Sequence, residues 1–172
     1  MEKGYTHIYT GNGKGKTTAA IGLAVRSLCI GKKVYIGQFI KDMAYNETKL
    51  VNKFDNLTIE QLGCGCFIDR DPTKEDEILA SNGLKHCAKI LKSGKYDLVI
   101  LDEITIAVYF KLIKSSDIIL ALKQKYPSTE VILTGRYASK DLIVYADLVT
   151  EMKEIKHYYT TQGVLSRDGI DK

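Results

Sequence analysis

The nine residues TGNGKGKTT, Thr10 to Thr18, constrain this chain more than any other stretch. They lie between a β-branched and aromatic run, THIYT, and a long apolar helical pattern, TTAAIGLAVRSLCIGKK. A glycine-lysine loop between a strand and a helix is built to hold phosphates. Small residues let backbone N–H groups converge on phosphate oxygens, and the following helix turns its positive end inward. Lys16 supplies a point charge, and the Thr17 hydroxyl can ligate Mg²⁺. Gly11, Asn12, Gly13, Lys14, Gly15, Lys16, Thr17 and Thr18 are therefore candidate nucleotide contacts. Thr10 stands where the usual G-x-x-x-x-G-K-[ST] pattern opens, with glycine one residue later at Gly11.

The rest of the chain repeats the alternation that the loop begins. Short apolar runs, KVYIGQFI, LTIEQL, DLVILDE, EVILTG and DLVTEM, are separated by longer helical patterns. Continuous apolar strands such as LVIL imply burial on both faces, hence a largely parallel sheet with helices on each side. The first helix is expected to stop at Gly31, and TKEDEILASNGLKHCAKILKSGK to form a second, capped by Thr73 with Glu75 to Glu77 near its positive end. A third lies within SSDIILALKQKY, before Pro127. The expected fold is α/β: one P-loop, RecA-like domain over residues 1–172, with a mostly parallel sheet of about six strands covered on both faces.

The 172 residues carry a formal net charge of only +4, with lysines scattered among acidic residues, so charge gives no support to nucleic acid as a partner. No apolar stretch is long enough for a signal peptide or a membrane span, and the expectation is a cytoplasmic protein without a membrane partner. Cys29, Cys64, Cys66 and Cys87 lack paired zinc-site spacing and read as reduced thiols; His7, His86 and His157 are too isolated for a metal triad.

YDLVILDE supplies the second half of a nucleotide site. Its apolar strand ends in Asp102 and Glu103 at the carboxyl edge, where parallel sheets place ligands, and two carboxylates there suit Mg²⁺ shared with Thr17. Arg136 in TGR follows another strand end and is a candidate phosphate contact. Lys41 after QFI and Glu47 in AYNET lie on segments near the same edge and are candidates for nucleotide or Mg²⁺, against the alternative of solvated charges. Residue chemistry alone leaves open an ordinary P-loop ATPase, a small-molecule kinase, or a nucleotide-gated binding module.

Taken together, TGNGKGKTTAA, VYIGQFIKD, YDLVILDE, VILTGRYASKDLIVYADLVTEMKEIKH and the closing GID resemble the P-loop corrinoid adenosyltransferases. These act on cob(I)alamin or cob(I)yrinic acid a,c-diamide. The resemblance runs from about Tyr5 to Asp171. It implies that a Co(I) corrinoid, as cobalamin, cobinamide or cobyrinic acid diamide, attacks C5′ of ATP and expels triphosphate. Lys16, Thr17 and Glu103 would be the catalytic residues, with ATP as co-substrate and Mg²⁺ as cofactor. It further implies ATP bound in the reverse of the ordinary sense, an electron-donating flavoprotein as partner, and room for a homodimer. Phe67 in GCGCFIDRD stands nearest the aromatic that the family sets against the corrin. Thr105 replaces the Asn that often follows the Asp-Glu pair, and Tyr158 the Pro that usually follows Lys-His.

Overall fold

The computed structural model describes residues 3–40, 45–63 and 71–171. Each apolar run becomes a strand: β1 Thr6–Thr10, β2 Val34–Gln38, β3 Leu57–Gln61, β4 Leu98–Asp102, β5 Glu130–Thr134 and β6 Leu148–Glu151. They form one sheet in the order β3-β2-β4-β5-β1-β6, and every neighbouring pair is parallel. β5 therefore lies between the strand that feeds the phosphate loop and the strand that ends in the carboxylates.

Alternation along the strands divides the apolar residues between two cores. Leu98 and Ile100 of β4 pack with Ala20, Ala24 and Leu28 of α1 (Lys16–Leu28) on one face. Val99 and Leu101 point the other way, toward Ala80, Leu84, Cys87 and Leu91 of α2 (Lys74–Ser93). All five residues of β2 and all five of β4 are buried, which is why those runs read as continuously apolar.

α2 starts as its sequence dictates. Thr73 N donates to Asp76 Oδ2 at 2.7 Å, and the Thr73 hydroxyl accepts from Asp76 N, a reciprocal cap. α1 ends earlier than expected, at Leu28 rather than Gly31. Cys29 to Gly31 form a turn in which Gly31 N reaches Leu28 O at 2.9 Å, and Gly31 takes φ 80°. The third expected helix is α4, Ser115–Lys123. Three helices of only five or six residues, α3 Ile104–Tyr109, α5 Lys140–Tyr145 and α6 Tyr158–Gln162, have no expectation behind them, nor has the 3₁₀ segment Asn46–Asn52. Segments this short carry too little periodicity to be read.

The end of β6 lies against the phosphate loop. Gly13 N donates to Met152 O at 2.7 Å. A Cβ on Gly11 would sit 2.5 Å from Met152 O, and one on Gly13 2.7 Å from the same atom. These glycines are therefore required by the approach of β6 as well as by phosphate. Gly13→Ala is expected to lower stability by about 1–3 kcal/mol, because the obstacle is backbone rather than a pliable side chain. Urea unfolding without nucleotide checks this, and an unchanged midpoint would show that the contact yields easily.

Candidate active site

Lys16 opens α1 directly after Gly15, whose φ of 119° is open to glycine and not to other residues. The lysine is buried and folds back over its own loop, with Nζ donating to Gly11 O at 2.8 Å and to Gly13 O at 2.7 Å. Burial holds its ammonium below the ordinary lysine range, opposed by the nearby carboxylate of Glu103. A phosphate taking the place of the two carbonyls would relieve that burden.

Asp102, only 1% exposed at the end of β4, gathers donors from three other elements. Thr17 Oγ1 of α1 donates to its Oδ1 at 2.8 Å, Thr134 Oγ1 of β5 to the same oxygen at 2.6 Å, and Gln38 Nε2 of β2 to Oδ2 at 3.4 Å. Glu103 follows in the left-handed region at φ 59°, and its N–H donates to Thr134 Oγ1 at 2.9 Å. The left-handed turn sends Asp102 into the sheet and Glu103 into the open cleft. Glu47, on the 3₁₀ segment, accepts from Gln38 Nε2 at 3.4 Å and so joins the same group.

Two adjoining cavities make the cleft. The larger, about 660 Å³, is lined by Asn12 to Thr18, Glu103 and Arg136, and by His157 to Tyr159 and Ile170 from the end of the chain. The smaller, about 400 Å³, is lined by Thr17, Thr18, Tyr45 to Glu47, Glu103 and Ile170. The fold thus brings Asn12 to Thr18, Glu47, Glu103 and Arg136 to one place, with Asp102 behind them. Gly11 contributes through its carbonyl to Lys16 and by packing on Met152. Lys41 and Phe67, with Cys64 and Cys66, lie outside the described residues.

Three contributors escape sequence reasoning. Thr134 and Gln38 sit inside apolar runs and look like ordinary strand residues, although both organise Asp102. Asp171, two residues after Gly169 in GID, accepts from Lys14 Nζ of the loop, a pairing across 157 positions that no spacing rule reveals.

Mg²⁺, if the site takes it, would find oxygen ligands of the kind it prefers: the Thr17 hydroxyl and the Asp102 and Glu103 carboxylates, completed by phosphates and water. Gln38, fully buried beside them, has an Oε1 atom without a partner, an oxygen suited to a metal-bound water. Among the described residues no three His, Cys, Asp or Glu side chains converge as a metal-holding group. Cys87 is deep in the core, where burial pushes its thiol up to about 12.

The model of the ATP:corrinoid adenosyltransferase BtuR/CobO/CobP family matches residues 2–171. The chain is 33% identical over 170 residues to the corrinoid adenosyltransferase of Escherichia coli K12, covering 99% of this chain and 86% of that one. It is 36% identical over 174 residues to the corrinoid adenosyltransferase of a Sinorhizobium species, covering 99% and 81%. Among solved structures it resembles the flagellar accessory protein FlaH of Methanocaldococcus jannaschii, with a TM-score of 0.60 at 13% identity over 88% of this chain and 72% of that one, a likeness of fold alone.

Thr134→Val tests the organisation around Asp102. It leaves a buried carboxylate and the Glu103 N–H each short of a partner, and is expected to cost about 1–3 kcal/mol in urea unfolding. A cost below about half a kcal/mol would show that water or another donor replaces the hydroxyl.

Proposed function

The chain belongs to the ATP:corrinoid adenosyltransferase family, and from that premise we propose that it transfers the 5′-deoxyadenosyl group of ATP to the Co(I) centre of a corrinoid. In this reaction a cobalt–carbon bond forms at C5′ as the C5′–oxygen bond breaks, and triphosphate departs with the bonding electron pair. The observation that carries the reading onto this chain is the convergence of Lys16, Thr17, Glu103 and Arg136 on one cleft above Asp102.

The protein's task follows from the chemistry. Charge accumulates on the triphosphate as it leaves, and donors fixed in advance around it lower the barrier. Lys16, the loop amides at the start of α1 and Arg136 supply that field. Thr17, Asp102 and Glu103 would hold Mg²⁺, which when bound neutralises further charge on the triphosphate. No base is needed, because Co(I) is itself the nucleophile; the chain must orient ATP with C5′ outward and exclude water. ATP in the reversed sense, with the γ-phosphate in the loop, satisfies this requirement.

Partner and location belong to the same reading. The substrate is a corrinoid of the cobalamin, cobinamide or cobyrinic acid diamide type. A low-potential flavoprotein is the donor suited to making Co(I), and Phe67 is the aromatic suited to the corrin face. The exposed Leu148 and Val149 of edge strand β6 give a homodimer an apolar surface. Among the described residues no helix is long and apolar enough to cross a membrane; a cytoplasmic enzyme fits these partners.

Anaerobic incubation with ATP, Mg²⁺ and chemically reduced corrinoid is expected to yield triphosphate and an adenosylated corrinoid, seen in its visible spectrum. ADP with phosphate or a phosphorylated product would replace this reading with that of an ATPase or kinase. Lys16→Ala is expected to lower turnover about 10²- to 10³-fold. Thr17→Val and Glu103→Gln are each expected to raise the Mg²⁺ concentration for half-maximal rate, and an unchanged Mg²⁺ titration in both would assign these oxygens a structural role only.

A further inference from the structure

Residues 157–171 run back across the mouth of the site, yet none of them belongs to either hydrophobic core. Leu165 and Ile170 are 72% and 60% exposed, and α6 is a single short turn of five residues. Gly163 and Gly169 bend the segment at φ 65° and 72°, and a Cβ added at either would meet nothing within 4 Å. Apolar burial therefore does not hold this segment in place.

Polar contacts do. The Asp171 carboxylate accepts from Lys14 Nζ, from the Tyr158 hydroxyl, and from Arg167 through N at 3.0 Å and Nε at 3.1 Å. Lys14 Nζ also donates to Tyr158 OH at 2.9 Å and to Ile170 O at 3.0 Å. The Arg167 guanidinium lies 4.7 Å from the centre of the Tyr158 ring. These donors, Lys14 foremost, hold the Asp171 carboxyl far below the usual carboxylate range. A second tie runs from Asn46 Nδ2 to Asp168 Oδ1.

We propose that residues 157–171 form a strap over the bound nucleotide and that Asp171, acting through Lys14, is the positioning residue that fastens it. The inference rests on the nucleotide site assigned above. Ile170 and Asp171 line both cavities, so the fastened end stands where the two meet. Tyr158 and Leu165 line the larger cavity together with Gly15 and Lys16, so a triphosphate there would meet both the loop and the strap. Lys14 and Arg167 both contact the Asp171 carboxylate, so its charge is offset by two cations where it stands beside the triphosphate. Fastening slows nucleotide escape; the bond-making step belongs to other residues.

The test is ATP binding by calorimetry without corrinoid, so that nothing turns over, on wild type, Asp171→Asn, Asp171→Glu, Lys14→Met and the double variant Lys14→Met/Asp171→Asn. Asp171→Asn is expected to weaken ATP binding roughly five- to tenfold, with Asp171→Glu recovering most of it and the double variant no weaker than Lys14→Met alone. With reduced corrinoid, Asp171→Asn is expected to raise KM for ATP while kcat does not fall. Tryptic cleavage after Arg167 is expected to quicken in Asp171→Asn even without nucleotide, while the melting temperature holds. ATP affinity within twofold of wild type, or the same loss in both Lys14 backgrounds, overturns the clasp. Wild type that fails to bind ATP overturns the proposed function and the clasp together, whereas wild type that binds ATP without adenosylating corrinoid overturns the proposed function alone.

Discussion

A single buried carboxylate holds the working parts of this protein in register. Asp102 stands almost without solvent at the end of β4, and an ion so placed is tolerable only when donors surround it. Its donors come from α1, β5 and β2, and Phe39 N reaches its carbonyl oxygen at 3.0 Å. Sliding β2 against β4 would remove Gln38 from its place opposite Asp102, and shifting α1 along its axis would remove Thr17. The height of the phosphate loop above the sheet is thus fixed by hydrogen bonds to one side chain. Loop, carboxylates and strand order form one arrangement.

Much of that arrangement was legible in the sequence, for identifiable reasons. The β1–loop–α1 unit declared itself because its backbone requirements leave few residue choices. The central strands β2, β4 and β5 declared themselves because burial on both faces forces unbroken apolar runs, as LVIL in β4 shows. Thr73 announced α2 through a local side-chain bond that needs no distant partner. What stayed hidden depends on contacts distant in sequence. Thr134 and Gln38 acquire their role only when β5 and β2 flank β4, and Asp171 only when the end of the chain crosses the loop. Gly31 misled because a left-handed glycine can follow a helix by one turn instead of ending it.

The loop has a second neighbour besides phosphate. Its backbone is pressed on one side by Met152, so closely that Gly11 and Gly13 have no room for a side chain, while Lys14 reaches out to Asp171. Gly13 gives its N–H to Met152, just past the end of β6, and Lys14 gives its charge to Asp171. Lys16 alone of the two loop lysines turns inward, buried over the carbonyls of Gly11 and Gly13. Two lysines separated by one glycine thus point to different partners, which their spacing alone would not reveal.

Strand order also sets the timing of assembly during synthesis. β1 leaves the ribosome before the other strands, yet its neighbours in the sheet are β5 and β6, the last two to appear. β2, β3 and β4 can pair among themselves well before then, whereas β1 must wait unpaired while its partners are made. The phosphate loop meanwhile lacks Met152 beneath it and Asp171 above it. The cleft, lined by Arg136 after β5 and by residues that follow β6, is therefore complete only once the C-terminal strands are in place.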